Sequence, residues 1–132
     1  MTTIINLTAE LATLTMLRDR TPHTARAERQ DSSRSLAEYR DGAIFTTSFA
    51  GEGGWERHRN GEEIVHIIGG DTTLRLMTED GPEALEMSAG MIAIVPQGTW
   101  HRFSSPRGVT LMTVTPQPTD HPAVHVEDPR GL

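Results

Sequence analysis

The sequence predicts an all-β domain, a sandwich or closed barrel, preceded by a short, partly helical N-terminal arm. Three observations point there. Glycine is absent before Gly42, and eleven of the twelve glycines lie between Gly42 and Gly108, so tight turns are concentrated in the middle of the chain. From Ala43 the apolar period becomes two, with β-branched and aromatic residues enriched. Turn signals then recur often enough to mark off about eight short strands, the spacing of a sandwich or barrel.

In residues 1–41, Thr8-Ala9-Glu10 can begin a helix, with Leu7, Leu11, Leu14 and Leu17 on one face at helical spacing. Arg18 to Pro22 ends it. Ala25 to Arg34 is polar and carries no structural signal, and Ser35 to Arg40 is expected to form a second short helix before Asp41-Gly42. The arm reads as a packing segment outside the barrel. Residues 42–116 are the expected barrel. Ile44 to Phe49 alternates as a strand, and Gly51-Glu52-Gly53-Gly54 breaks it. Trp55 to Ile68 reads as a hairpin around Asn60-Gly61, whose residues tolerate positive φ. Thr72 to Thr78, Glu83 to Met87 and Val109 to Thr115 are further strands. Met91 to Val95 is continuously apolar, which predicts burial on both faces. The tail, 117–132, follows Pro116; with Pro116 it holds four of the eight prolines and should be extended.

The bulk numbers bound the function. A chain of 132 residues supports one domain with a single modest core. A net charge of −6 argues against a nucleic-acid backbone or an anionic membrane as partner. No apolar run approaches a membrane span and no basic-then-apolar leader opens the chain, so a cytoplasmic location is the expectation. Without cysteine there are no disulfides or thiol nucleophiles, and a metal would have only N and O ligands. A Gly-rich phosphate loop, a Gly-x-Ser-x-Gly elbow and a basic stripe with interleaved aromatics are all missing.

Two clusters carry chemistry. In Trp55-Glu56-Arg57-His58-Arg59-Asn60-Gly61-Glu62-Glu63, Glu56 and His58 share strand parity, and Glu63 opens the returning strand. With Glu63 inward, Val65 and Ile67 are inward too, while Glu62, Ile64, His66 and Ile68 face out. In Val95-Pro96-Gln97-Gly98-Thr99-Trp100-His101, His101 follows a Pro-Gln-Gly turn at the mouth of a strand. Two imidazoles with one or two carboxylates converging in a barrel would form a metal site. An inward Glu63 without a cation would carry a steep desolvation cost or take up a proton. Glu56 has three readings: a fourth ligand, a general base beside a three-ligand metal, or a solvated charge. His66 reads as a packing or interface histidine, His121 as a surface residue, with a tail folded over the barrel mouth as its second reading, and Trp55 and Trp100 as packing or dimer-contact residues. By alternation Phe45, Phe49, Val65, Ile67, Phe103 and Met112 are candidate pocket walls.

These clusters resemble the two motifs of a small single-domain cupin. The second motif, Gly-x5-Pro-x-Gly-x2-His-x3-Asn, is met by Gly90, Pro96, Gly98 and His101, with Ser105 in the Asn position. The first, Gly-x5-His-x-His-x3,4-Glu-x6-Gly, is met by His58, Glu63 and Gly70, with Glu56 where the family has its first histidine. The resemblance implies a double-stranded β-helix, or jelly roll, and pairing of two copies as a homodimer. It also implies a divalent ion (iron, manganese, zinc or nickel) held by His58, Glu63 and His101, with Glu56 as further ligand or catalytic proton carrier. The expected activity is oxygenase-, isomerase- or lyase-type chemistry on a small organic molecule inside the barrel. The competing expectations are a non-catalytic cupin that binds or senses a small ligand, and a metal-free barrel using His58 or His101 as base.

Overall fold

The computed structural model describes all 132 residues. In chain order its elements are helix α1 (Leu7–Ala12), β1 (Leu17–Arg20), a single 3₁₀ turn (Arg26–Arg29), β2 (Ser33–Tyr39), β3 (Gly42–Glu52), β4 (Arg57–His58), β5 (Glu63–Thr78), β6 (Gly81–Ser88), β7 (Ile92–Val95), β8 (Trp100–Pro116) and β9 (Thr119–Asp120). Seven strands form one sheet of path β1-β3-β8-β5-β6, with β2 added to β3 and β7 to β5; β4 and β9 pair separately. The expected all-β jelly roll is what the chain forms.

Two long strands make the barrel close. The first part of β5 pairs with β7 on one side, and its second part, Asp71–Thr78, pairs with β6. Its other edge runs against β8 along almost its whole length, broken between Ile67 and Thr73, where Gly69 and Gly70 sit. β8 yields at the same level, since its pairing with β3 jumps from Ser105 to Val109 across Pro106-Arg107-Gly108. Glycine and proline at these bends let one strand serve two halves of the fold. Phe49, Val65, Ile67, Leu74, Leu76, Met87, Val95, Val109 and Leu111 fill the interior as one cluster.

The arm departs from its expected form. Asn6 caps α1 through its side-chain oxygen, which accepts from the Ala9 N–H at 3.0 Å. The helix stops at Ala12 with no buried residue, so Leu14 and Leu17 lie beyond it, and Leu17 belongs to β1. Ser35 to Arg40 is not a helix: Ser33–Tyr39 is strand β2, antiparallel to β3 from Ser33↔Thr47 to Tyr39↔Gly42. The unpaired edge of β3 supplies backbone partners that override a weak local helical preference. β1 also joins β3, in parallel, with Arg20 opposite Gly51. Gly51 has φ +119, and a Cβ there would lie 2.3 Å from the Arg20 carbonyl oxygen, so glycine is what admits β1 to this place.

Two other expectations change. Asn60-Gly61 does reverse the chain, but its flanks do not pair as a hairpin: β4 pairs with β9 of the tail, and β5 with β7 and β8. β7 is not buried on both faces. It pairs with β5 alone, and Ile92 and Ile94 are 63% and 61% exposed, because no second layer covers that side. The Glu63 parity holds as expected, with Glu63, Val65 and Ile67 buried and Glu62 and Ile64 exposed. No helix is long and apolar enough to cross a membrane.

This distribution of burial predicts a contrast within two apolar strands. Ile67→Ala should cost about 2–5 kcal/mol of stability by urea unfolding, as a cavity in a closed core does. Ile92→Ala should cost no more than about 0.5 kcal/mol in protein diluted to the monomer, as at an exposed position.

Candidate metal centre

The two sequence clusters meet because their backbones are hydrogen-bonded to each other. Glu56 N–H donates to the His101 carbonyl and His101 N–H to the Glu56 carbonyl, both at 2.9 Å. The Pro96-Gln97-Gly98 turn docks on the same segment: Gly98 N–H donates to the His58 carbonyl at 3.0 Å, and the Gln97 amide to the Arg59 carbonyl at 2.8 Å. The outcome is that Glu56, His58, Glu63 and His101 each aim one ligating atom at a common point, all within 4.8 Å of one another. His58, Glu63 and His101 are buried, and Glu56 sits at the rim with its side chain 31% exposed.

Glu63 is the hub. Its Oε1 lies 3.1 Å from His101 Nε2 and its Oε2 3.1 Å from His58 Nε2, and Oε2 also accepts from the Thr115 hydroxyl at 2.7 Å. Burial by itself would push this carboxyl up, but the imidazoles of His101 and His58 outweigh it and hold it at about 2. Both rings are oriented from behind. His101 Nδ1 is 3.0 Å from the Thr99 carbonyl, which can only accept, so Nδ1 carries the proton. His58 Nδ1 is 3.0 Å from the Thr119 hydroxyl.

This tautomer matters. In a neutral His101 with its proton on Nδ1, the Nε2 lone pair faces a carboxylate oxygen at 3.1 Å. Two lone pairs in contact, buried, require a positive charge between or on them. In the metal-free chain a proton on His101 supplies it: burial lowers the readiness of that ring to ionise, but Glu63, then Glu56 and the Thr99 carbonyl, raise its pKa overall. His58 Nε2 is buried and has no aligned hydrogen-bond partner, although carboxylate oxygens of Glu63 and Glu56 stand 3.1 and 3.9 Å away. An orphaned imidazole nitrogen, a second one facing a carboxylate, and backbone or hydroxyl partners behind both are what a metal-ligating set requires. The residues fit a divalent ion.

The centre opens on a cavity of about 840 Å³. Phe45, Phe49 and Phe103 line it, as alternation suggests, together with Thr46, Thr113 and Thr115. Val65 and Ile67 face inward but are sealed in the core, and neither they nor Met112 reach the cavity. His121 is exposed and stands at the cavity wall, whereas His66 does not line it. Trp55 and Trp100 are packing residues: Trp55 donates to the Val126 carbonyl at 2.8 Å, and Trp100 lies under the Arg57 guanidinium at 4.4 Å.

Two contributions had no readable signal in the sequence. Thr119 arrives from the tail because β9 pairs with β4, an arrangement pinned by Asp120 between Arg57 and Arg59. The arm brings several arginines to the cavity, Arg20 from the segment read as a helix end and Arg26, Arg29 and Arg34 from the stretch without pattern.

The architecture is that of a jelly-roll barrel with a His/Glu cluster at one end of its interior. The family described as Cupin domain matches residues 45–115, just over half the chain, and the chain belongs to that family. Among solved structures, a cupin-2 domain containing protein of Shewanella frigidimarina is 18% identical with TM-score 0.65, covering 86% of this chain and 95% of its own. A Neisseria meningitidis protein is 19% identical with TM-score 0.64, covering 87% of this chain and all of its own. Oxalate decarboxylase of Bacillus subtilis is 13% identical with TM-score 0.54, over 60% of this chain and 23% of the enzyme. At such identities the likeness is one of fold. No curated protein matches the chain.

The pKa directions set a pH window for the metal-free chain. Glu63 is depressed, so its contribution is complete above its unfolded value near 4.5 and lost as pH falls towards 2. His101 is raised, so its contribution is complete below its unfolded value near 6.5 and lost as pH rises through the higher folded value. Thermal melts of chelator-treated protein should therefore peak between about pH 4.5 and 6.5. Subtracting the melts of Glu63→Gln should isolate both flanks, and a difference curve flat in pH would contradict the assignment.

Proposed function

We propose that the chain is a metal-dependent cupin enzyme acting on a small organic molecule held in the cavity beside Glu63. The observation that carries this reading is the orientation of two buried imidazole Nε2 atoms towards one buried carboxylate at the end of an 840 Å³ cavity. His58, Glu63 and His101 would hold the ion, with Glu56 next to it. A divalent first-row ion there (iron, manganese, zinc or nickel) supplies Lewis acidity for isomerase- or lyase-type steps, or serves oxygenase chemistry with its two-histidine, one-carboxylate set. The Mn(II) centres named for Bacillus subtilis oxalate decarboxylase, 15% identical over 60% of this chain, support a barrel of this kind as a metal site.

The protein's own groups have distinct parts in this reading. Thr99 and Thr119 keep each Nε2 turned inwards, and Thr115 fixes one oxygen of Glu63. Glu56, the partly exposed member, lines the cavity beside His58 and is placed to hold or deliver a proton on its carboxylate. Phe45 and Phe49 give the cavity an apolar side for the organic part of the molecule.

Elemental analysis tests the centre. Purified wild type should carry close to one equivalent of a divalent ion, and His58→Ala and His101→Ala should lose most of it. Glu56→Gln should retain it. Unchanged metal content in both histidine variants, or none in wild type, would overturn the reading in favour of a metal-free barrel.

Pairing of two copies belongs to the same proposal. Leu85, Met91, Ile92 and Ile94 form an exposed apolar face around a shallow groove, and the edge of β7 is unpaired. Sedimentation should give a dimer for wild type and a monomer for the double variant Ile92→Glu, Ile94→Glu. A monomeric wild type would remove the pairing.

A further inference from the structure

The chain has 18 acidic residues and 12 arginines, yet five of those arginines line the one cavity that reaches Glu63, against two glutamates. Two of the five are committed elsewhere. Arg102 pairs with Glu52 at 3.4 Å and lies over the Trp55 ring, and Arg34 donates to the Gln30 and Ser33 carbonyls. Arg20, Arg26 and Arg29 make no ion pair with any carboxylate; of the arginines away from the cavity, Arg57, Arg59, Arg107 and Arg130 do, and Arg18, Arg40 and Arg75 do not.

Arg20 is the strongest member. It is held in place by the β1–β3 pairing at Gly51, and its guanidinium stacks on the Phe49 ring at 4.4 Å. A guanidinium seated over an aromatic ring still carries N–H groups that can meet an oxyanion in a two-pronged manner. Its Nε is buried without a partner, and so is that of Arg29. Burial first, and then repulsion from Arg29, bring the Arg20 pKa down to about 10, and the attraction of Glu56 does not make up the difference. Two partly desolvated cations on one cavity wall with orphaned donors are costly without a counter-charge and favourable once an anion meets them.

We propose that Arg20 and Arg29 form an oxyanion-binding wall, so that the molecule taken into the cavity is a small organic anion whose carboxylate or phosphate group is held there. Its remaining part then reaches towards Glu56 and Glu63. This deepens the proposed function by naming a substrate class, and it rests on that reading only for what happens at the opposite end.

The two ends are tested separately by isothermal titration of the full chain as purified. The probes are malonate, inorganic phosphate and the neutral malonamide. Malonate or phosphate should bind and malonamide should not; which of the two anions binds more tightly identifies the headgroup. Arg20→Gln and Arg29→Gln should each weaken anion binding about tenfold to a hundredfold with metal content unchanged. Arg20→Lys should restore part of it, and Arg107→Gln, at an exposed site away from the cavity, should have no effect. His58→Ala and His101→Ala should keep anion affinity within about threefold even where metal is lost. Anion affinity that is equal in wild type, Arg20→Gln and Arg29→Gln, or absent from wild type, overturns the wall and leaves the metal centre to its own test. Loss of anion binding in the histidine variants alone would place the anion on the metal and likewise overturn it.

Discussion

A carboxylate buried between two imidazoles organises this protein. Glu63 has no solvent to ionise into, so it stays charged only because His58, His101 and the Thr115 hydroxyl surround it. Those partners come from β4, β8 and, through Thr119 behind His58, from the tail. A group that requires compensation from distant parts of the chain ties those parts into one geometry, because removing any partner leaves a buried charge unsatisfied. The barrel and its centre are therefore one structure, not a scaffold with a site placed on it.

The elements outside the barrel are organised by the same end of the cavity. The arm adds β1 and β2 to β3, and the tail adds β9 to β4. Each addition covers an edge that would otherwise be unpaired, and each delivers side chains: Arg20, with Arg26 and Arg29 from the segment leading to β2, and Thr119 and His121 from the tail. β7, with the neighbouring β6, keeps an open edge together with an exposed apolar face. The molecule thus has one polar, charged opening and one apolar outer face.

The sequence by itself determined the parts governed by short-range rules. Period-two alternation from Ala43 and the clustering of glycines gave the all-β class, and the parity of Glu63, Val65 and Ile67 followed from the pleat. The metal-type cluster was legible as well, since Glu56, His58, Glu63 and His101 lie in two compact segments with informative spacing.

Only the tertiary structure decided what depends on long-range pairing. Ser35 to Arg40 became a strand because β3 offered an edge, β4 chose the tail over β5, and β7 lost its second face because nothing packs there. The cavity arginines belong to the same group. Arg26 and Arg29 sit in a polar stretch without periodicity and Arg20 in a segment read as a helix end, and Arg20 reaches the cavity through a parallel pairing admitted by Gly51 across 31 positions of chain. Local residue patterns record a strand's pleat and a turn's handedness. Which edge a strand joins is set by what the rest of the fold leaves unpaired, and no local pattern carries that information.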